Sequence, residues 1–327
     1  MLLIGLTYNI RNNLLFFVSD AKIKAETPPF QKKSNRIFLC CDTYRYVNAG
    51  NIQNRGWELT LNGTPVLTPD FNWKTSVNFS TNKNKIVKLH EDLKEMIYGP
   101  TSFSSSYAMK LIKGGSIGDI YGKAFVRDDA GNIVYETEGD NKGLPLVEGD
   151  GNTVKVGNAN PVFMMGWDHT FSYKGFTLYF LLDWRYGGEV LSQTQAEMDL
   201  YGVSEITADA RDRGYVMLDG QRIDNVKGFY KIVGGRAGVT EYYMYDATNL
   251  RLREVSLSYN FSKKWIQKTK VLKDVQLSFV ARNLCFLYKK APFDPDLVLS
   301  TGNDNQGIEV FGMPTTRSLG FTLKCEF

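Results

Sequence analysis

The sequence predicts an all-β protein whose antiparallel strands form the wall of a transmembrane barrel. From Tyr44 onward, apolar and polar residues alternate in segments of about 9–13 residues, separated by turns rich in Gly, Asn, Asp and Pro. Several segments reach the roughly 9–11 residues that a tilted membrane strand requires, whereas strands of soluble proteins mostly have about 5–6. The apolar side of these segments is rich in large rings, in a chain with 20 Phe, 18 Tyr and 5 Trp.

Composition excludes several classes of protein. The 39 Lys and Arg residues nearly balance 35 Asp and Glu residues, and no basic block stands out, so we expect no nucleic-acid partner. A hydrophobic content of 43% with 23% charged residues excludes global disorder. No apolar run approaches the roughly 18 residues of a membrane-spanning helix.

The first 44 residues show no sustained period, and we assign them no element. The strands predicted after them differ in clarity, Phe71–Thr81 being the clearest and Ile117–Val126 the weakest. In chain order they are Trp57–Leu61, Phe71–Thr81, Ile117–Val126, Phe163–Tyr173, Phe176–Tyr186, Arg253–Phe261, Val275–Ala281 and Leu319–Phe327.

The two strands around Lys174 and Gly175 test the prediction within the sequence. A two-residue hairpin places Tyr173 opposite Phe176, and the alternation found separately in each strand already puts both rings on one face. On the other face we expect Asp168 to oppose Asp183, with Arg185 beside them to screen the two carboxylates. We therefore predict that this polar face is wet and that Asp168, Asp183 and Arg185 face the lumen.

The last predicted strand runs to the end of the sequence and finishes in an aromatic residue. Leu319, Phe321 and Leu323 alternate with Gly320, Thr322 and Lys324, and the final residue is Phe327. A last strand of this kind is typical of bacterial outer-membrane barrels. We interpret Phe327 as a terminal signal for the machinery that assembles them.

Motifs spread over the chain from about Tyr46 to Phe327 resemble those of one family. The most specific is GNANPVFMMGWDHTFSYKGFTLYFLLDWRYGGEV at 157–190. The others are, in order, NAGNIQNRGWELTLNGTPV at 48–66, DFNWKTSVNFSTNKNKIVKL at 70–89, GGSIGDIYG at 114–122, NLRLREVSLSYNF at 249–261, ARNLCFLYK at 281–289, DPD at 294–296 and PTTRSLGFTLKCEF at 314–327. This stretch resembles the C-terminal barrel portion of SusC/RagA-type TonB-dependent outer-membrane transporters of Bacteroidetes.

The resemblance implies a plugged barrel of about 22 strands in the cell outer membrane, of which this chain supplies about 8–10. It implies energy from the TonB complex, a SusD-like surface lipoprotein over the barrel, and glycan or peptide cargo. The boundaries that follow are an unassigned segment, 1–44, and a barrel portion, 45–327. None of the motifs resembles the plug, the TonB-contacting segment or the first half of the barrel. We therefore expect a fragment that is not competent for transport alone, with TonB acting through the missing N-terminal region.

No constellation of residues indicates an enzyme, a cofactor or a metal site. His90 and His169 lack a paired nucleophile or ligand spacing, and His169 alternates onto the aromatic face, which favours a packed residue. The DDAGN stretch, 128–132, is predicted to be a hairpin turn rather than a calcium loop. Asp294 and Asp296 are interpreted as a loop turn, with a contact to calcium or cargo as the lesser alternative. We expect the region from Glu189 to Tyr243 to be a long polar loop nearest the cargo or the lipoprotein.

The alternative is a soluble all-β carbohydrate-binding module. Its aromatic face would pack against a second sheet, while other exposed rings would stack on sugars. The position of Trp167, Leu182 and Trp184 separates the two hypotheses. A sandwich seals these side chains in its interior, whereas a barrel wall leaves them on its outer surface.

Overall fold

A computed structural model describes residues 15–26, 30–33, 44–47, 50–90, 93–98, 107–149, 153–262, 266, 271–297, 299, 302 and 305–327. Most of its regular structure is β-strand. The strands are β1 Leu15–Glu26, β2 Phe30–Lys33, β3 Tyr44–Val47, β4 Gly50–Leu67, β5 Phe71–Leu89, β6 Glu95–Ile97, β7 Tyr107–Ile112, β8 Asp119–Gly122, β9 Ala124–Phe125, β10 Val147–Glu148, β11 Val154–Asn158, β12 Phe163–Tyr173, β13 Phe176–Tyr186, β14 Glu189–Ser192, β15 Val216–Leu218, β16 Gln221–Ile223, β17 Met244–Asp246, β18 Asn249–Asn260, β19 Asp274–Lys289, β20 Ile308–Glu309 and β21 Ser318–Glu326. The helices are α1 Gln193–Leu200, α2 Glu205–Arg213 and α3 Val226–Val233, with a 3-10 helix at Thr240–Tyr243.

Eight strands form one antiparallel sheet, which we call the wall. Its order is β1-β4-β5-β12-β13-β18-β19-β21, so each wall strand pairs with the wall strand that follows it along the chain. Seven of the eight predicted strands lie in the wall, and β1, from the segment to which the sequence assigned no element, makes the eighth. Strands β4 and β5 reach 18 and 19 residues. Neither β1 nor β21 pairs with a second wall strand in the described ranges, so the sheet is open.

The hairpin between β12 and β13 confirms the predicted two-residue turn. Lys174 and Gly175 both have positive φ, 44° and 91°, and Tyr173 pairs with Phe176. Two consecutive left-handed residues twist the chain in the sense that antiparallel strands need. A Cβ on Gly175 would stand 2.9 Å from the carbonyl oxygen of Asn260, so the turn also requires glycine for space.

The two ends of the wall differ in the length of their connections. At one end lie the short links 68–70, 174–175 and 261–273, together with the last residue of the chain. At the other end lie the long connections 90–162, 187–248 and 290–317. Short turns on one side and long loops on the other are typical of outer-membrane barrels.

Parts of the three long connections pack into one folded unit, which we call the cap. Its hydrophobic core takes buried residues from each connection, for example Ile120 from the first, Phe229 from the second and Ile308 from the third. Strand β14 of the connection 187–248 joins it directly to the connection 290–317, because it pairs parallel with β20, and it also pairs antiparallel with β17 of its own connection. The cap is therefore a small domain rather than a set of independent loops.

Two sequence predictions for this region are wrong. Ile117–Val126 is not a wall strand: it contains β8 and β9, which belong to two small sheets of the cap. All residues of β8 and β9 are buried, so both of their faces meet protein and the alternation carries no lipid-facing side. The region from Glu189 to Tyr243 lies within the long connection 187–248, but it is not the expected polar loop, because it holds three helices and much of the cap core.

Local signals explain where the helices begin and end. Ser192, Ser204 and Asn225 cap α1, α2 and α3, each side chain accepting a hydrogen bond from a backbone N–H of the first turn. Gly214 ends α2 in the left-handed conformation with φ of 76°. Among the described residues no helix is both long and apolar enough to cross a membrane.

Candidate functional site

The wall presents one apolar face whose rings line up across the strands. Tyr173 pairs with Phe71 on one side and with Phe176 on the other, and Phe176 pairs with Tyr259. Several of these side chains stay exposed, including Trp167 at 39% and, further along the face, Phe321 at 79%. Leu182 and Trp184 are only partly buried. A soluble sandwich would seal this face, so the exposure favours a face that meets lipid.

His169 lies within this aromatic face, as predicted. Its ring is 4.8 Å from that of Phe180 and stacks with Trp73 at 6.0 Å. The indole Nε1–H of Trp73 donates a hydrogen bond to Nδ1 of His169 at 3.1 Å. The imidazole therefore accepts from the half-buried indole donor within the packed face.

The opposite face of the wall is polar and contains the three predicted lumen residues. Asp168 pairs across the sheet with Ser76 on β5, whose hydroxyl hydrogen-bonds its carboxylate. Asp183 pairs with Arg251, and Arg185 with Asn249, both on β18. The three side chains thus share one face, and their role in a lumen stays a prediction.

The predicted pairing of Asp168 with Asp183 is wrong. Asp168 lies opposite Leu181, and Asp183 lies opposite Gly166. The hairpin fixes this register: each step along the strands from the Tyr173–Phe176 pair lowers the residue number on β12 by one and raises that on β13 by one. The two carboxylates are therefore offset along the strands, so their repulsion does not have to be screened by Arg185.

At the cap end of this face, three arginines and three aspartates form a network. Arg253 binds Asp183 through Nε at 2.9 Å and through Nη2, and its Nη2 lies 3.3 Å from Asp296. Nη2 of Arg251 lies 2.5 Å from Oδ1 of Asp294 and 3.4 Å from Asp296. The three positive and three negative charges balance formally, so the network can be buried without a large net charge.

Arg251 is the most deeply buried member of the network, at 2% exposure, and Asp294 is 9% exposed. The guanidinium carbon of Arg251 lies 4.1 Å from the ring centroid of Phe286, a cation–π contact. Its Nε and Nη1 have no hydrogen-bond partner in the described residues. The energy that holds Arg251 therefore comes mainly from its carboxylate partners and from the ring.

Asp294 and Asp296 form the predicted turn, in which the N–H of Leu297 donates to the carbonyl oxygen of Asp294 at 3.2 Å. Sequence reasoning did not give these carboxylates their arginine partners, and it missed Arg251 and Arg253. The signal was available: the RLR stretch, 251–253, offers two cations, and DPD, 294–296, offers two anions. Their meeting depends on a bulge in β18, where the register shifts between Leu252 and Glu254. A bulge re-aims a side chain, so Arg251 and Arg253 both reach the polar face.

Arg185, the third arginine of this network, ties the wall to the first long connection. Its Nη2 donates to the carbonyl oxygen of Ala159 at 2.9 Å, and its Nη1 lies 4.0 Å from Asp296. Asp296 and Ala159 come from different connections, 290–317 and 90–162. The network therefore fixes two connections to the wall strands β13 and β18.

Within the cap, buried polar groups join the connections further. Glu309 on β20 accepts hydrogen bonds from Ser192 at 2.9 Å and from Thr194 at 2.7 Å, both near the start of α1. Asp199 at the end of α1 accepts from Ser204 and from Tyr243. Burial raises the pKa of both Asp199 and Tyr243, and the nearby Asp199 charge raises that of Tyr243 further.

Two other predicted features have a definite place. The DDAGN stretch forms the expected turn, because Oδ1 of Asp128 accepts from the backbone N–H groups of Ala130 and Asn132 and Arg127 bridges to Ile133. Phe327 follows β21 at the short-turn end of the wall and is 71% exposed. Its role in assembly stays a prediction. No group of three or more His, Cys, Asp or Glu residues suited to a metal occurs in the part of the chain that the structure describes.

Comparison with known proteins finds similarity to TonB-dependent receptors. TonB-dependent receptor P3 of Formosa agariphila is 27% identical over 300 residues, which cover 86% of this chain and 29% of the relative. TonB-dependent receptor SusC of Bacteroides thetaiotaomicron is 24% identical over 261 residues, covering 76% of this chain and 24% of the relative. The chain thus spans less than a third of the length of these relatives. No protein-family model matches it.

Solved structures agree on the fold. The RagAB peptide importer in its open-open state matches with a TM-score of 0.67 and 17% identity, over 96% of this chain and 33% of that chain. In its closed-closed state the TM-score is 0.63. These likenesses confirm both the all-β barrel fold class and the resemblance to SusC/RagA-type TonB-dependent transporters.

Proposed function

We propose that this chain, which is related to SusC/RagA-type TonB-dependent transporters, forms part of the barrel wall and of the outer cap of a nutrient importer in the outer membrane. One observation carries the proposal. A single sheet has an exposed aromatic face, a polar face, short turns at one end and a folded cap at the other. This combination suits a strand wall between lipid and a polar bore.

The direction of the wall follows from its ends. Outer-membrane barrels have short periplasmic turns and longer extracellular loops. The end with links 68–70 and 174–175 would then face the periplasm, and the cap would face the cell exterior. Phe327 would lie at the periplasmic end, where an assembly signal is accessible.

The polar face would line the bore. Asp168, Asp183 and Arg185 remain our lumen-facing candidates, and Arg251 and Arg253 join them. Because Asp183, Arg185, Arg251 and Arg253 are engaged with each other or with loop carboxylates, we assign them the task of holding the cap on the wall. Asp168 is the one predicted residue outside this network that is left to meet solvent or cargo.

The activity of the whole transporter extends beyond what this chain contains. The relatives are named for TonB dependence, and RagAB is described as a peptide importer. By that likeness we propose glycan or peptide cargo, energy from TonB and a SusD-like lipoprotein over the cap. The chain spans under a third of its relatives, so transport would need the wall strands and plug that such relatives supply. Within it, 45–327 is the proposed barrel portion, to which we add β1, Leu15–Glu26, because it pairs with β4.

Fractionation and surface proteolysis test this proposal. The chain should sediment with outer membranes, resist a salt wash and require detergent for extraction, with migration that changes on heating. The exposed turn 138–143 of the cap should be cleaved by protease added to intact cells. A chain that is soluble and monomeric without detergent would refute the proposal and support the soluble binding module instead.

A further inference from the structure

The helical part of the cap bears a groove that the wall and the ion network do not explain. It consists of two hollows of about 550 Å³ and about 450 Å³. Leu200, Tyr201 and Lys231 line both hollows, so these residues form the ridge between them. Volumes of this size fall in the range of small-molecule sites, about 300–1,000 Å³.

The ridge presents an exposed aromatic ring. Tyr201 follows α1 and is 74% exposed, in contrast to Tyr230 and Tyr243, which are buried in the cap core. The next residue, Gly202, has φ of 68°, and its carbonyl accepts a hydrogen bond from Nη1 of Arg211 at 2.7 Å. A Cβ at Gly202 would lie 2.8 Å from that nitrogen, so glycine and Arg211 together fix the turn that presents the ring.

The charge around the ring is positive. Lys227 and Lys231 stand one turn apart on α3, both are exposed, and neither forms an ion pair with any residue that the structure describes. A spacing of four residues puts both ammonium groups on one side of the helix.

The carboxylates of the groove, by contrast, are occupied. Asp224 lies 2.7 Å from Nε of Arg222, and Glu197 lies 3.4 Å from Nε of Arg236. Asp199 is buried and accepts hydrogen bonds from Gln195, Ser204 and Tyr243. In the described part of the chain, Lys227 and Lys231 thus have no ion-pair partner, while each carboxylate of the groove has an ion-pair or hydrogen-bond partner.

From these features we infer that the groove binds an acidic oligosaccharide. One pyranose ring of the saccharide packs against Tyr201, and carboxylates of the saccharide lie near Lys227 and Lys231. A sugar ring has a flat C–H face that packs on an aromatic ring, and tyrosine suits such half-wet contacts. An acidic peptide offers the charges but no rigid flat face at each residue, so the exposed ring favours the saccharide. The groove's position on the cell exterior rests on the proposed function, whereas the binding does not.

Titration of the full chain in detergent micelles with tetra-galacturonate tests the inference. Its methyl ester has the same rings without the charges, and we expect it to bind about tenfold more weakly, a difference of about 1.4 kcal/mol. Tyr201→Ala should weaken tetra-galacturonate binding about tenfold, while Tyr201→Phe, which keeps the ring, should retain it. Lys227→Gln with Lys231→Gln should weaken binding and flatten its dependence on salt, because exposed charge pairs are screened.

Matched controls separate the site from general effects. Tyr288→Ala removes another exposed tyrosine, and Lys142→Gln another exposed lysine, and both should leave the affinity unchanged. Circular dichroism establishes that each variant keeps its strands and helices. Equal binding of the acid and its ester, or an unchanged affinity in Tyr201→Ala, would overturn the inference. So would tetraglutamate binding as tightly as the saccharide. Because the assay needs no membrane, these results are independent of the fractionation that tests the proposed function.

Discussion

Because the three long connections share one core, a single substitution in that core should destabilise the whole cap. Phe229 on α3 is fully buried, with its ring 5.2 Å from that of Tyr230 and 5.4 Å from that of Tyr242, both edge-on. Phe229→Ala removes the ring and leaves a cavity, a change that costs about 3–5 kcal/mol in a core that cannot collapse. The wall strands contribute nothing to this core, so the loss falls on the cap.

Hydrogen exchange measures where that loss appears. Because about 1.4 kcal/mol corresponds to a factor of ten, exchange of protected cap amides should accelerate about 10²- to 10⁴-fold. The acceleration should extend beyond α3 to β8 in the first long connection and β20 in the third, since both contribute to the same core. Amides of β12 and β13 in the wall should keep their rates.

Phe311→Ala is the matched control for Phe229→Ala. Phe311→Ala removes a ring that is 61% exposed on the same cap and should change its stability by less than about 0.5 kcal/mol. Acceleration confined to α3, with β8 and β20 unchanged, would refute the shared core. The three connections would then be separate loops.

Three further predictions concern the wall, the ion network and pH. Leu182→Arg on the apolar face should cost about 2–4 kcal/mol in urea unfolding from lipid vesicles, while the neighbouring Leu181→Arg on the polar face should be nearly neutral; equal losses would contradict the two-faced wall. Arg251→Ala should cost about 3–5 kcal/mol by leaving a buried carboxylate unpaired, and an unchanged unfolding midpoint would contradict the network. Burial raises the pKa of Asp246, but hydrogen bonds led by that from Lys290 outweigh burial and hold it below 3.8. The Asp246 carboxylate therefore contributes its full stabilisation above its pKa in the unfolded chain, and this contribution is lost as pH falls through its lower pKa in the folded chain. Hydrogen exchange of cap amides between pH 2 and 6 should show the loss, and Asp246→Asn should abolish this pH dependence.

The wall could be predicted from sequence because lipid and water lie on its two sides. Each strand then alternates strictly, and a two-residue turn fixes the register, as Tyr173 and Phe176 show. The same rule, applied with care along β12 and β13, gives Asp168 opposite Leu181.

The cap could not be predicted in the same way. In β8 and β9 all residues are buried, so no alternation marks a face. The core joins residues that are far apart in sequence, such as Ile120 and Ile308, and no local pattern reports such contacts. The helices do have local signals in the sequence, namely serine caps before α1 and α2 and the glycine after α2.

The ion network could not be predicted from sequence because it depends on the bulge in β18. The register of β18 shifts at its bulge, and the shift decides which side chains reach the polar face. A bulge inserts one residue without a distinct sequence signature, so Arg253 could not be placed from alternation alone. The pairing of its guanidinium with Asp183 was therefore visible only in three dimensions.

The central claim is that the aromatic face of the wall meets lipid and the polar face meets water. Spin labels on single cysteines at Leu257 and Ser258, neighbours on opposite faces of β18, test it most directly after the four native cysteines are replaced by serine. In vesicles, the account predicts that the label at 257 is relaxed by oxygen dissolved in the bilayer and the label at 258 by a water-soluble nickel chelate. Equal access to both reagents at the two positions, or the reverse order, would contradict it.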